Sequence, residues 1–366
     1  MLDFLNPKAD SFGLDINDLS IKIARLKKGA GGFELAGFGR HEIKEGLIEK
    51  GEIKKEGELI EIIKKAAKNV QGEPLKTKYC IASLPETESF VQMVSLPPME
   101  KKEVAEAIKW EIEAHIPLPL NEVYYDWQII DKGSAKTTAK TPSRLNILVG
   151  ALPKKNVDPY LNVFKKAGLK PLIFEIECVA IARSLIKKDC LNKPVVIVDI
   201  GAKRTNLLIA CGQTIYFTTS LPVCNISLEK TLSEKLDISQ IKAREIKMKI
   251  GLDPSHHDGK IFQALQVPLN EMAAKIRNYV NFYHDHILPE QPGNEKIEQV
   301  LLCGGGANML GLAEFLSAEL KITVTIGNPW INILKTPEEM PSGLSLDESL
   351  SFTTALGLAL RNYDQT

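Results

Sequence analysis

The sequence predicts an α/β chain of two duplicated mixed-sheet lobes around a nucleotide cleft, with a small α+β subdomain inserted in the first lobe. Three observations predict it. A strand with an acid at its turn, Phe12-Gly13-Leu14-Asp15-Ile16, has a counterpart 184 residues later at Val198-Asp199-Ile200-Gly201-Ala202. β-Branched runs mark strands beside both: Ile21-Lys22-Ile23 after the first acid, Pro194 to Val198 before the second. A third loop, Cys303-Gly304-Gly305-Gly306-Ala307-Asn308, joins the apolar run Val300-Leu301-Leu302 to a helix expected over 310–320. Acids at such turns can hold a hydrated cation while nearby backbone N–H groups face phosphate oxygens. Glycines let a flat ring or a phosphate approach bare backbone.

At 366 residues the chain exceeds one core of ordinary size, so two domains or a bilobed body are expected. Forty-six basic and 46 acidic residues cancel, which argues against the broad positive field that nucleic-acid binding needs. The cysteines at 80, 178, 190, 211, 224 and 303 form no CxxC pair and sit largely in apolar runs, as reduced thiols do. Met1 to Pro7 is too short and too acidic for a signal peptide, and no stretch approaches the roughly 18 apolar residues of a membrane span. A cytoplasmic chain that meets a membrane only through a partner is the expectation.

The first 80 residues read as strands at 12–16, 20–27 and 33–40, an amphipathic helix at 57–69 with Leu59, Ile62, Ile63 and Ala66 at helical spacing, and a strand at 78–84. Ser95-Leu96-Pro97-Pro98-Met99 breaks the pattern, and a helix over 100–116 runs until Pro117 and Pro119 stop it. That helix buries Val104, Ala107, Ile108 and Ile112. Trp110, about 200° round from Ile108, is expected to pack on the strand at 123–130, with contact to a partner as the other reading. The polar tract 132–142 reads as a hairpin tip. Strand, helix, strand, helix then follow at 146–152, 156–167, 171–175 and 179–187. The second lobe opens with strands at 195–200, 207–211 and 215–219, is capped by helices at 226–250 and 268–286, and ends in a helix at 352–361 that crosses back. The expected division is 1–84 and 151–190 for the first-lobe core with 350–366 returning to it, 85–150 for the insert, and 191–349 for the second lobe.

These residues resemble the actin-like ATPase superfamily of actin, the sugar kinases, the seventy-kilodalton chaperones and the division protein FtsA. Within it the chain is similar to the PilM family of cytoplasmic type IV pilus assembly proteins. Besides the turn Gly13 to Ile16 with Ser20-Ile21-Lys22 and the glycine loop through Leu312, the specific stretch is the middle one. It comprises Leu96-Pro97-Pro98-Met99, Ala107 to Glu111, Ile116-Pro117-Leu118-Pro119-Leu120 and Asp126-Trp127-Gln128.

The resemblance implies ATP with Mg between the lobes. It gives Asp15 and Asp199 to the metal and its water, Asn17 to the first turn, Lys22 to the phosphates, and Gly201 and Thr205 to the second phosphate turn. It gives Gly304, Gly305, Gly306 and Asn308 to the adenosine loop, and Lys247 a place flanking the adenosine. Asp199 would orient an attacking water in what is at most slow hydrolysis, with Glu177 as a further catalytic candidate. Glu175 and Glu177 follow the strand between the lobes, although acids there are commonly helix caps. The implied partner is the N-terminal cytoplasmic peptide of the inner-membrane protein PilN. Pilus motor ATPases and self-association are left open; direct membrane insertion is not expected.

Four departures stand out. Asn17 and Asp18 replace the glycine and hydroxyl usual after the first acid; Asn17 can adopt the left-handed turn, whereas an Asp18 facing phosphates about 4 Å away would cost on the order of 4 kcal/mol at an effective dielectric of about 20. Lys203 and Arg204 stand where small or polar residues are usual, and either offset Asp18 or point to solvent. Arg244 replaces an acid that binds ribose, and arginine accepts no hydrogen bond. Two other functions remain: a small-molecule kinase, for which no acid and arginine cluster is evident, and an FtsA-like filament protein, whose C-terminal amphipathic helix has no counterpart in Leu360 to Thr366. His256-His257 and His284-Asp285-His286 read as surface or packing residues, since neighbouring histidines on a helix diverge. No Walker motif is present.

Overall fold

The computed structural model describes residues 10–29, 32–85, 89–115, 118–131, 145–187, 193–212, 214–287, 295–334 and 343–363. The tract 132–142 and Cys190 lie outside them. In the first lobe, β1 (Phe12–Ile16), β2 (Ser20–Gly29) and β3 (Gly32–Glu42) form an antiparallel meander. The short hairpin β4 (Ile48–Glu49) and β5 (Glu52–Ile53), helix α1 (Glu56–Lys68), β6 (Gln71–Gly72) and β7 (Tyr79–Leu84) follow. α1 forms as its spacing predicts: Leu59, Ile63 and Ala66 are buried, acids lead and lysines end it.

The insert contains β8 (Phe90–Leu96), α2 (Lys101–His115), β9 (Val123–Asp131) and β10 (Leu145–Pro153). α3 (Lys154–Lys166), β11 (Lys170–Ile176) and α4 (Glu177–Leu185) return the chain to the lobe. The six-stranded sheet runs β11-β7-β1-β2-β3-β6, and the insert forms its own sheet in the order β8-β10-β9. Both β11 and β9 are therefore edge strands. α2 buries Val104, Ile108 and Ile112 against Val94, Leu96, Ile147 and Val149. Trp110 does not pack on the following strand as expected; it is 72% exposed, because those three buried residues take the inward face of the helix.

The second lobe has β12 (Pro194–Ile200), β13 (Thr205–Cys211), β14 (Thr214–Leu221), α5 (Asn225–Leu236), α6 (Gln240–Lys249), α7 (Lys260–Phe282), β15 (Gln299–Cys303), α8 (Leu312–Leu320), β16 (Thr323–Ile326), α9 (Leu346–Leu350) and α10 (Thr353–Arg361). The helical stretch expected over 226–250 is divided into two helices, because Asp237 turns left-handed at φ 52° and Ser239 caps the next helix through the Lys242 amide. The expected start at Pro268 is also too late. α7 begins at Lys260 and carries Pro268 inside it, its buried face from Ile261 to Val280 holding the helix together across the missing N–H.

The second sheet runs β14-β13-β12-β15-β16. β12 pairs antiparallel with β13 and parallel with β15, as β1 pairs with β2 and β7. The two lobes thus repeat one plan, with helices added around the second. α4 joins them: Cys178, Ile181 and Leu185 pack on Val195, Ile197 and Leu208 of the second sheet, while Ala180 packs with Ile81 and Leu358 on the first. α10 crosses the same spine, touching α4 and β1.

Candidate functional site

The duplication extends to single residues. Asp15 lies opposite Lys22 across β1 and β2, and Asp199 opposite Asn206 across β12 and β13. Lys22 Nζ is 2.8 Å from Asp15 Oδ2, and Ser83 Oγ donates to Asp15 Oδ1 at 2.9 Å. In the second lobe Cys303 takes the place of Ser83, lying in register with Asp199 and hydrogen-bonded to it. Burial first, and then the Asp199 charge, hold the Cys303 thiol well above its usual range. Sequence reading missed Ser83, Asn206 and Cys303 as partners; the same 184-residue offset that pairs Asp15 with Asp199 also pairs Lys22 with Asn206.

The first turn differs from its expected form in two ways. Asn17 does not turn left-handed. Its side-chain oxygen accepts from the Leu19 and Ser20 amides at 3.1 and 3.0 Å, so hydrogen bonding rather than backbone conformation keeps the turn. Asp18 accepts from the Lys50 and Gly51 amides at 3.1 and 3.0 Å. Those two residues, at φ 51° and 81°, form the two-residue loop between β4 and β5, the tight hairpin type that needs positive φ at both positions. Asp18 is a structural clamp on that hairpin, 5% exposed, with its carboxylate given to the hairpin amides.

Arg204 Nη2 lies 3.4 Å from Asp18 Oδ1, and Lys203 Nζ lies 3.3 Å from Glu45. The two unusual cations of the second turn therefore reach across to the first lobe and bring the turns together. Within the second turn the Gly201 amide donates to Arg204 O at 2.8 Å, so Gly201 shapes the turn and its N–H is already engaged. Thr205 is fully buried and its hydroxyl has no partner, an orphan donor at the position where the phosphate turn was expected.

Gly304 adopts φ 78°, and a Cβ on Gly306 would fall inside the contact shell of Ile200 Cγ2 and 2.7 Å from Asn225 Nδ2. The glycine loop is thus pressed onto the second turn. Asn308 Nδ2 donates to Asp347 O at 2.7 Å, fastening the loop to the start of α9. Lys247 is 2% exposed; its Nζ donates to Asn225 Oδ1 at 2.5 Å and Glu229 Oε1 at 2.7 Å. Burial lowers the Lys247 pKa and Glu229 opposes the shift. Asn225 and Glu229, four apart on one face of α5, are a pair that sequence reading missed, and together they hold the Lys247 ammonium.

Glu177 opens α4; its Oε2 accepts from Asn206 Nδ2 at 3.2 Å, and Asn206 Oδ1 accepts from Ser220 at 3.1 Å. Glu175 is instead a structural acid. It forms a two-pronged pair with Arg183, both contacts 2.6 Å, and Arg183 also donates to Gly357 O at 3.0 Å. Among the described residues no cluster of three or more His, Cys, Asp or Glu could hold a metal. The residues fit Mg carried by phosphates and water beside single carboxylates, the manner in which that ion is usually held.

A second concave feature lies between the edge strands β9 and β11. The groove has a volume of about 490 Å³ and is walled by Tyr124, Trp127, Leu148, Leu172, Ile173 and Val179, with Arg361 at its side. Leu172 and Tyr124 are each 46% exposed.

The family described as type IV pilus assembly protein PilM matches residues 13–363. The chain belongs to the PilM family. Among solved structures, the PilM-PilN type IV pilus biogenesis complex superposes with a TM-score of 0.79 at 23% identity, over 98% of this chain and 100% of that one. The ethanolamine utilization protein EutJ of Carboxydothermus hydrogenoformans gives 0.55 at 16% identity, over 96% and 89%. MreB 5 of Spiroplasma citri bound to AMPPNP gives 0.51 at 14% identity, over 94% of each chain. At these identities the likeness is one of fold, and the fold is the bilobed actin-like ATPase fold expected from the duplicated turns.

Proposed function

We propose that this chain is a cytoplasmic nucleotide-binding scaffold of type IV pilus assembly, which takes ATP with Mg between its lobes and the cytoplasmic N-terminal peptide of an inner-membrane PilN in the groove between β9 and β11. The observation that carries the reading is that groove, in a member of the PilM family. Two strand edges face it, each with unpaired backbone donors and acceptors, and exposed Leu172, Ile173 and Tyr124 line it. An extended peptide gains main-chain hydrogen bonds on such an edge and buries alternate side chains in the wall.

When bound, ATP would supply the polyphosphate charge and carry the Mg ion with it. The unpartnered Thr205 hydroxyl, buried beneath the second turn, would be the donor offered to a phosphate oxygen where the ligand opens the way to it. Asp15 and Asp199 would hold metal-bound water, Asp15 being oriented by Lys22 and Ser83. Lys247 and Glu229 form a fixed wall beside the glycine loop, whose backbone admits the base. Glu177, steadied by Asn206, would hold the water for any hydrolysis.

Calorimetric titration with the PilN N-terminal peptide tests the reading. Saturable binding is expected, and Leu172→Arg with Tyr124→Glu should remove it at unchanged melting temperature; equal binding by that variant overturns the groove assignment. In parallel, Thr205→Val should weaken ATP–Mg binding.

A further inference from the structure

One end of the first-lobe sheet is lysine-rich. Lys76 and Lys78 lead into β7, Lys165 and Lys166 end α3, Lys170 starts β11, and Lys28 lies near the end of antiparallel β2. The segments of Lys78, Lys165 and Lys170 meet directly, while Lys28 lies two strands along at the same end of the sheet: the Lys170 amide donates to Lys78 O at 2.8 Å, Tyr79 stands in register with Lys170, and the Gly168 amide returns to Lys165 O. All six are exposed.

The acids at this end are already engaged. Glu73 takes Lys27 and Arg25, Glu34 takes Lys27, and Asp10 takes Arg25. Lys166 pairs with Glu56 at 3.3 Å. Among the described residues Lys28, Lys76, Lys78, Lys165 and Lys170 enter no ion pair, and Lys170 extends its ammonium over the Tyr79 ring at 5.9 Å. In a chain with 46 charges of each sign, five uncommitted lysines at one end are a segregation of charge rather than an excess.

We infer that this lysine end rests on an anionic bilayer surface. Charge complementarity selects that occupant: among the described residues the acids at this end are paired with other cations, so the clustered lysines match a leaflet of anionic headgroups, and each lysine near such a surface contributes attraction that falls off within a Debye length. Position supports it. β11, which walls the proposed peptide groove, begins at Lys170, so one strand carries both features. The acid turns of β1 and β12 lie at the opposite, C-terminal ends of the strands and face the aqueous side. Among the described residues no helix is long and apolar enough to cross a membrane, so the contact is electrostatic and superficial. The choice of a bilayer rests in part on the proposed function, in which the peptide belongs to a membrane protein. The lysine cluster itself does not.

The test is co-sedimentation of the full chain, without any peptide, with vesicles of phosphatidylcholine alone or with about one third phosphatidylglycerol. Binding is expected only to the anionic vesicles, and should be lost at 0.5 M salt. The variant Lys76→Glu, Lys78→Glu, Lys165→Glu should bind at least about tenfold more weakly, and glutamine at the same positions should give a smaller loss. The surface control Lys235→Glu, Lys249→Glu, Lys275→Glu should bind as the parent does. Equal binding to neutral vesicles, equal loss in the control, or displacement by a few millimolar inorganic phosphate, which marks a discrete anion site, overturns the inference. Peptide titration of the triple variant separates the two readings: unchanged peptide affinity with lost vesicle binding supports both, whereas vesicle binding by a chain that takes no peptide leaves this inference standing and removes the groove assignment.

Discussion

Replacing Asp18 by serine restores a residue usual at the first turn of the superfamily this chain resembles, and sequence alone leaves two outcomes: tighter ATP binding where the carboxylate faces the phosphates, no change where it faces away. The structure selects the second. Asp18 is 5% exposed and accepts two amide hydrogen bonds from the Lys50 and Gly51 loop at 3.1 and 3.0 Å. A serine hydroxyl is too short to serve both, and two charge-assisted bonds at about 1.5 kcal/mol each come to about 3 kcal/mol of local stability. The half-screened Arg204 contact adds less than about 1 kcal/mol. At 1.4 kcal/mol per decade, the Lys50 and Gly51 amides should exchange with deuterium about a hundredfold faster. ATP–Mg affinity measured by calorimetry should change by less than about threefold. Binding tightened tenfold or more, with exchange at Lys50 and Gly51 unaltered, would refute the clamp and return Asp18 to the phosphates.

Further outcomes follow from the same geometry. Gly306→Ala forces a methyl against Ile200 and Asn225 and should lower nucleotide affinity at least about tenfold, whereas at Gly305 the nearest atom to an added Cβ is Ser351 Cβ at 4.0 Å, so Gly305→Ala should bind within about twofold of the parent in the same titration. Lys247 has a folded pKa below its unfolded value near 10.4, so the unfolded chain binds the extra proton between those two values and stability rises with pH across that window. Glu229→Gln removes the group that opposes the depression, widens the window downward, and should cost about 2–3 kcal/mol at pH 7 but clearly less at pH 10; equal losses in melts at both pH values contradict the pairing. Burial raises the Cys80 thiol to about 12 and Cys211 to about 11, and Cys178, Cys224 and Cys303 are buried as well. A disulfide thiol reagent at pH 8 should therefore modify these five only on unfolding, and rapid native labelling of more than one thiol counts against it.

Much of the architecture was legible because it depends on local periodicity and on one repeat. β-Branched runs flanking Asp15 and Asp199 mark the paired strands, and their shared spacing already contains Lys22 and Asn206. The path of α2 followed from Val104, Ile108 and Ile112. What escaped depends on contacts between distant segments. The partners of Asp18 lie 32 and 33 residues away on a hairpin of two-residue strands, too short to carry a pattern. Arg204 meets Asp18 across the two lobes, 186 positions apart. The groove is made by two edges, β9 and β11, which no run of residues announces as unpaired. Trp110 was assigned to packing because large aromatics are usually covered, yet the inward face of its helix was already filled by smaller residues.

The three tryptophans occupy three different surroundings: Trp110 is 72% exposed, Trp127 is half-buried on the groove wall, and Trp330 is fully enclosed. The chain therefore carries its own optical labels, one accessible to a collisional quencher such as acrylamide and one sealed from it. With Trp110→Phe, the remaining responsive emission comes from the indole beside the groove, so docking of a peptide can be followed without attaching a dye.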